Sequence, residues 1–358
     1  MHNGGERKVL KSMLHRISNL ATVITVLTLL LETDLLAKRA RTNDDLSVEN
    51  TRGVARRLWE APTDIRSRNL YYGPGGAHGQ PGKRFTFLKE DLDGTNPKLD
   101  VRDENGVKWK IKLGSEVHAE TAASRLLWAL GYHADEDYFV EALHVTHLPR
   151  RLHRGQNLVF ADGTIRKARL KRQMEGKKIG YWSWRDAPFA GTREFNGLRV
   201  FMALINNWDL KDSNNAIYDQ HGQRIYQVND LGASFGTTGV LLIKNKAKGN
   251  LDAFRRSKFI TKVTPERVSF ATPSLPSFPY LFAPWDYVVR ARLRWIGRNV
   301  SRADAKWVGE LLGQLSAEQI EDAFRAAGYS QSEANGFTEV VQKRVAELNT
   351  LSRSKGGS

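Results

Sequence analysis

Two aspartates and an asparagine in the second half of the chain have the types and spacing to hold a divalent cation beside a reacting hydroxyl. Asp209 and Asn214 lie five residues apart, and Asp230 follows a short hairpin that we predict over about residues 216–227. Phosphoryl transfer needs a carboxylate near the attacking hydroxyl, and an amide and a second carboxylate that hold a cation against the phosphates. Asp209 is the candidate base or orienting carboxylate, Asn214 and Asp230 are the candidate metal ligands, and Lys211 is a cation that could steady the transferring phosphate.

Residues 209–215 also have a structural interpretation, because aspartate and asparagine are common in turns that need no ligand. Asn215 is an alternative to Asn214 as the metal ligand. The two parts of the pattern, residues 209–214 and Asp230, occur in the order that a metal site requires, which favours the chemical interpretation.

A lysine and a glutamate are predicted to complete this site from the first half of the chain. Residues 107–113 alternate strictly, with apolar residues on one face and Lys108, Lys110 and Lys112 on the other. This pattern is typical of a half-buried strand, so the lysines could simply form its solvent face. A lysine at the end of such a strand can instead offset the charge of the α- and β-phosphates of ATP, and Lys112 is the candidate.

The predicted partner of Lys112 lies on the helix that follows. The apolar spacing predicts this helix over residues 115–130, with Ser115 as N-cap and Gly131 as C-cap. Glu116 and Glu120 both border its apolar stripe, and an ion pair would orient the lysine and keep it charged. Glu120 is the preferred partner, and Glu116 is the alternative.

A short loop between the first two predicted strands could approach phosphate oxygens. The chain has no GxGxxG run at this place, but residues 92–98 contain Gly94 and Thr95, and backbone N–H groups near a glycine can bind phosphate. An ordinary β-turn explains the same residues. The glycine cluster at residues 73–82 is a weaker alternative.

Charge and composition limit the function classes. The 358 residues include no cysteine, which excludes disulfides, zinc–thiolate sites and thiol catalysis. The net charge of +16 predicts attraction to anions such as nucleotides or an anionic membrane surface, whereas no motif indicates specific nucleic-acid recognition.

The N-terminal region, residues 1–40, combines basic residues with a largely apolar run at 20–31. It has the pattern of an export signal or membrane anchor, and also that of a packed amphipathic helix. We therefore expect an exported or membrane-associated protein of a bacterial envelope, with the cytoplasm as the alternative. Lys38 makes a poor cleavage site.

The remaining pattern predicts an α+β fold in two lobes. A polar connector, 41–83, leads into a β-rich lobe, 84–185, and a helical lobe, 186–351, and residues 352–358 form a disordered tail. The elements expected from alternation, helical spacing and caps are strands at 84–88, 98–102, 107–113, 138–145 and 164–172, and helices at 193–205, from Ser316 to near Gly328, and at 337–351.

Residues 84 to about 240 resemble the atypical branch of the protein-kinase-like superfamily, including HipA-type, secretory-pathway (Golgi) and phosphoinositide kinases. The resemblance is carried by Lys112, Glu120, the 92–98 loop, the 209–214 segment and Asp230-Leu231-Gly232. It implies a phosphotransferase with ATP and Mg²⁺ or Mn²⁺ as cofactors. The acceptor it implies is a protein, lipid, sugar or small molecule, and some relatives transfer nucleotidyl groups instead.

Two non-enzymatic functions fit the same sequence. A pseudokinase scaffold is favoured by the missing glycine-rich loop, and an anionic-surface binding protein by the positive charge. The complete set of lysine, glutamate, asparagine and aspartates favours the enzyme.

Overall fold

The computed structural model of the protein describes residues 54–93, 96–237, 248–271 and 292–351. All of these except Val54 lie in one compact unit, residues 55–358. The described strands and helices, in chain order, are β1 (Arg56–Arg57), β2 (Arg84–Asp91), β3 (Lys98–Asp103), β4 (Lys108–Leu113), α1 (Val117–Ala129), β5 (Asp137–Thr146), β6 (Thr164–Arg172), β7 (Lys177–Gly180), α2 (Arg193–Leu204), β8 (Asn215–Gln220), β9 (Gln223–Val228), α3 (Leu251–Arg256), β10 (Ile260–Val263), β11 (Arg267–Phe270), β12 (Val300–Ser301), α4 (Arg302–Leu312), α5 (Ala317–Arg325) and α6 (Gln331–Asn349).

The first lobe is a closed barrel in the strand order β2-β3-β4-β6-β5. Its interior is filled by alternate residues of each strand, so that Trp109, Ile111 and Leu113 of β4 are buried inside together with Leu99 and Leu170. The alternation predicted for β4 is therefore confirmed. Successive side chains of a strand point to opposite faces of the sheet, so every second residue of β4 faces the barrel interior.

Helix α1 follows β4 and packs its alanine- and leucine-rich face into the core of the helical lobe. The sequence predicts Ser115 as the N-cap of α1, and this prediction is wrong. Glu116 occupies that position without a capping hydrogen bond from its side chain. Gly131, at the C-terminal end, has φ +88°, and a Cβ there would lie 2.1 Å from the carbonyl oxygen of Glu60, so the position requires glycine.

The second lobe contains α2, the β8–β9 hairpin and helices α3 to α6. A mixed sheet in the order β1-β9-β8-β7 places the hairpin at the base of the barrel lobe, because β7 follows the barrel strand β6. Helix α6 starts at Gln331 and not at Phe337 as predicted, because a capping box of Ser330 and Glu333 begins it. The predicted α+β fold class is confirmed.

The described part of the predicted connector, residues 54–83, packs against the second lobe. β1 pairs in parallel with β9, and Leu58, Ile65 and Leu70 are buried in the helical core. The predicted N-terminal segment (1–40), residues 41–53 and the predicted tail (352–358) lie outside the described residues. Among the helices that the structure describes, none has the length and apolar content to cross a membrane.

Candidate active site

The ammonium group of Lys112 lies at the centre of a buried cluster of carboxylates. Only 2% of the lysine side chain is exposed, and its Nζ lies 2.6 Å from Glu116, 2.9 Å from Glu120 and 2.7 Å from Asp230. Burial alone would lower the pKa of Lys112, but the three carboxylates outweigh it and raise the pKa above its ordinary value. The interpretation of Lys112 as a solvent-facing lysine is therefore wrong, and its charge is held in place by ion pairs.

Both glutamates that the sequence proposes as partners contact the lysine. Glu120 accepts a hydrogen bond from Lys112 through Oε2, and its other oxygen accepts one from Arg169 at 2.9 Å. Glu116 also accepts a hydrogen bond from the side chain of Asn96 at 2.6 Å and contacts Lys248. Burial would raise the pKa of Glu116, but Lys112 and Lys248 lower it overall. Glu120 connects Lys112 to α1. Glu116 connects Lys112 to Asn96, which precedes β3, and to Lys248, which follows Asp230 in the chain.

Asp230 brings the second lobe to this cluster. It follows β9 and has φ +54°, a left-handed conformation that aspartate adopts more readily than most residues. Burial would raise its pKa, but Lys112 and Arg169 lower it to about 2. Its side chain is still 45% exposed. Asp230 is therefore an ionised carboxylate at the edge of the buried cluster, open on one side.

Asn214 lies beside the residue that precedes Asp230, because its carbonyl oxygen accepts a hydrogen bond from the backbone N–H of Asn229 at 2.8 Å. The Asn214 side-chain Nδ2 donates to the backbone oxygen of Asp209 at 2.7 Å and to Asp209 Oδ2 at 3.3 Å. This orientation leaves the amide oxygen of Asn214 as the atom that can bind a cation.

Asp209 and Lys211 form an ion pair at the edge of the same loop. Lys211 Nζ lies 3.1 Å from Asp209 Oδ1, so lysine and asparagine each contact a different carboxylate oxygen. A quarter of the Asp209 side chain is exposed. The backbone N–H of Asp209 donates to the side chain of Asn207 at 2.9 Å, which holds the start of the loop.

Backbone hydrogen bonds fix the 209–214 loop against the segment after Asp230. Trp208 N–H donates to the carbonyl of Ala233 at 3.2 Å, and Phe235 N–H donates to Ile205 at 2.8 Å. Asn215, the alternative ligand, is buried and its Nδ2 donates to the carbonyl of Trp182 at 3.0 Å. Asn215 therefore has a structural contact, which favours Asn214 as the ligand.

Two cations that sequence analysis overlooked stand on either side of Lys112. The strand register pairs Lys98 of β3 and Arg169 of β6 with Lys112 of β4, so the three side chains lie in a row on one face of the barrel. Arg169 is buried and also lies 3.1 Å from Asp137. The alternation of β6 could have indicated its face, but only the closed barrel shows that Arg169 neighbours Lys112.

Two further sets of residues have simple outcomes, namely those of the proposed phosphate loop and a pair of tryptophans. Gly94 and Thr95 of the proposed phosphate loop lie outside the described residues, although Asn96, next to them, contacts Glu116. Trp182 and Trp184 are buried and pack together with ring centroids 5.0 Å apart, so they belong to the core.

A cavity of about 450 Å³ opens on the face of β4 that carries Lys110, two residues before Lys112 on the same strand. Lys110 and Lys171 line it from the barrel, Met174 from the segment between β6 and β7, and Tyr218 from the hairpin. Small-molecule sites have volumes of about 300–1,000 Å³, so the cavity is large enough for the base and ribose of a nucleotide.

The donor atoms of this site suit a hard divalent cation. Asp230 and Asn214 offer carboxylate and amide oxygens, and Mg²⁺ is bound in proteins by one or two carboxylates and substrate phosphates. Glu116, Glu120 and Asp230 each place one oxygen within 4.8 Å of the others, with the ammonium of Lys112 in contact with all three. Oxygen donors that could hold a cation therefore lie next to a fixed ammonium group that could hold an anion.

The described residues form an α+β fold in which a barrel lobe carries a lysine–glutamate pair and a helical lobe carries a carboxylate–amide loop. No protein-family model and no curated protein matches the chain. Solved structures similar to it include CtkA, a proinflammatory kinase of Helicobacter pylori, with a TM-score of 0.44 at 9% identity, covering 76% of this chain and 98% of that one. A Golgi casein kinase is similar with a TM-score of 0.34 at 11% identity, covering 78% and 74%.

Proposed function

We propose that this protein is an ATP-dependent phosphotransferase that uses Mg²⁺ or Mn²⁺. The observation that carries the proposal is the contact of one buried ammonium group, Lys112, with Glu120 of α1 and with Asp230 of the opposite lobe. A structural ion pair needs neither a second lobe nor an exposed carboxylate, whereas a phosphate-binding cleft needs both.

Lys112 would bind phosphate oxygens of the nucleotide, and Glu120 would hold its side chain in place while the ligand enters. The glutamate can do this because Arg169 holds its other oxygen. Glu120 therefore keeps its orientation when Lys112 exchanges its contact with Asp230 for a contact with phosphate. The adjacent cavity would hold the base and ribose.

Asp230 and Asn214 would hold the divalent cation through oxygen atoms. When bound, the cation offsets the charge of the β- and γ-phosphates. Asp230 is suited to this because its pKa of about 2 keeps it ionised throughout the physiological range. Asn214 is suited because its amide nitrogen is engaged by Asp209, which directs the amide oxygen away from that carboxylate.

Asp209 would orient the acceptor hydroxyl and accept its proton. The acceptor oxygen forms a bond to the γ-phosphorus, the bond between that phosphorus and the β-phosphate oxygen breaks, and ADP leaves. The proton of the hydroxyl ends on an Asp209 oxygen. Lys211, 3.1 Å from that carboxylate, would place positive charge next to the transferring group.

Incubation of the purified chain with Mn²⁺ and γ-labelled or α-labelled ATP tests this proposal. We expect ATP hydrolysis or self-labelling from the γ-label, and its loss in Asp230→Asn. Asp219→Asn is the matched control, because Asp219 is an exposed aspartate on the same hairpin. Labelling from the α-phosphate alone would identify nucleotidyl transfer instead.

A pseudokinase is the second candidate, because Asp230 must exchange its ion pair with Lys112 for a cation before the site can act, and a pseudokinase would keep the ion pair. Nucleotide binding without hydrolysis or labelling under either metal would support this candidate. The absence of any metal-dependent nucleotide binding would reject both.

A further inference from the structure

Lys98, the first residue of β3, stands next to Lys112 in the barrel wall. The two residues are register partners on neighbouring antiparallel strands, so their side chains leave the same face of the barrel. Such partners have Cβ atoms about 4.5–5.5 Å apart. Lys98 is half-buried, and it follows directly the loop whose Asn96 contacts Glu116. Lys98 therefore lies at the edge of the Lys112 cluster, on the side of the loop before β3.

The two lysines differ in how their charge is balanced. Lys112 contacts three carboxylates, whereas the ammonium group of Lys98 donates to a neutral group, the backbone carbonyl of Asp93, at 3.0 Å. No described carboxylate lies within ion-pair distance of Lys98. The nearest candidate is its register partner Asp91, but that side chain is paired with Lys110.

We infer that Lys98 is a second phosphate-binding lysine of the cleft, which contacts the triphosphate of the nucleotide beside Lys112. This inference rests on the proposed nucleotide-binding function and adds a residue that recognises the phosphate chain. A polyphosphate carries several negative charges on neighbouring phosphorus atoms, and two lysines side by side on one rigid sheet match that arrangement.

The electrostatics of Lys98 agree with this geometry. Burial lowers the pKa of Lys98, and the positive charges of Lys112 and Lys110 lower it further, while Asp91 and Asp230 oppose them. An anion bound between Lys98 and Lys112 would offset the part of this pKa shift that comes from repulsion between the two ammonium groups, while burial would remain its largest cause. The site therefore favours an anionic ligand at this point.

The simplest alternative is structural, since the hydrogen bond to Asp93 could serve only to close the loop before β3. The two interpretations differ in the ligand whose affinity depends on the lysine. A phosphate-binding lysine affects a triphosphate and leaves a nucleoside unaffected. A loop-closing lysine affects both ligands equally, or affects only the stability of the chain.

Calorimetric titration of the full chain with Mn·ATP and with adenosine separates these outcomes. We expect Lys98→Met to weaken Mn·ATP binding by about tenfold or more, the loss typical of one charged hydrogen bond, with adenosine affinity within about twofold of wild type. Lys98→Arg should restore most of the Mn·ATP affinity. Lys262→Met, on the exposed face of β10, is the control for loss of one positive charge.

Equal losses for Mn·ATP and adenosine, or a loss no larger than that of Lys262→Met, would overturn the inference about Lys98 and leave the proposed function intact. A wild-type chain that binds neither ligand would overturn the proposed function, and the role of Lys98 with it. Thermal unfolding of Lys98→Met, followed in parallel, shows whether the variant is folded at the titration temperature.

Discussion

Replacement of Lys112 by methionine should leave the three carboxylates around it without the positive charge that they contact. Methionine keeps an unbranched apolar side chain, one atom shorter than lysine, and removes the charge and the three N–H donors of the ammonium group. Three carboxylates that contact the lysine at 2.6–2.9 Å would then face each other within 4.8 Å. Removing one partner of a buried ion pair costs about 3–5 kcal/mol, and we expect a loss of this size in the free energy of unfolding at pH 7.

The loss should depend on pH with a defined sign. In the wild type, Lys112 lowers the pKa of Glu116 and of Asp230, so the stability from these groups is present above their unfolded pKa values and lost on acidification. In Lys112→Met the crowded carboxylates take up protons more readily, and acidification relieves the repulsion. The difference between the two proteins should therefore shrink between pH 7 and pH 4.

Urea unfolding of both proteins in metal-free buffer, followed by tryptophan fluorescence and by circular dichroism, measures this difference. Lys262→Met is the control, and as an exposed substitution it should change the free energy by no more than about 0.5 kcal/mol. Mn²⁺ should stabilise Lys112→Met more than wild type, because the three carboxylates can bind it. A loss below about 1 kcal/mol at pH 7, or one that is the same at pH 4, would refute the reasoning.

Three other predictions concern a glycine packed against Glu116, a helix cap and a half-buried histidine. Gly232→Ala should cost about 1–3 kcal/mol, because its Cβ would lie 2.6 Å from Cβ of Glu116, while Gly180→Ala, with no atom within 4 Å, should be neutral in the same denaturant titration. Ser330→Ala should lower the free energy of unfolding by about 1 kcal/mol, since it removes the cap of α6. Burial lowers the pKa of His118 below 6.5, so its contribution to stability is present above pH 6.5 and lost as the pH falls. His118→Gln should therefore reduce the loss of stability between pH 7 and pH 5.

Elements with a clear local pattern could be predicted from the sequence. Alternation predicts strand β6 with its observed bounds, and helical spacing predicts α2 within one residue, because these patterns reflect which face of an element is buried. The α+β class follows from the order of these elements. The pairing of Lys112 with Glu120 could also be proposed, because the strand, the turn and the helix are adjacent in sequence.

Contacts between distant parts of the chain could not be predicted in the same way. The neighbourhood of Lys98, Lys112 and Arg169 depends on the register of three strands in a closed barrel, which no local pattern specifies. The contact of Lys248 with Glu116 joins residues far apart in sequence. The parallel pairing of β1 with β9 is likewise a tertiary feature. The polar composition of residues 41–83 predicts a connector and does not indicate this pairing.

A crystal structure of the chain with Mn²⁺ and a non-hydrolysable ATP analogue, recorded at an energy where manganese scatters anomalously, tests the central claim most directly. We expect an anomalous peak within coordination distance of the Asp230 carboxylate and the Asn214 amide oxygen, with phosphate oxygens in contact with Lys112. A nucleotide bound elsewhere, or a Lys112 that still contacts Asp230 beside a bound nucleotide, would contradict it.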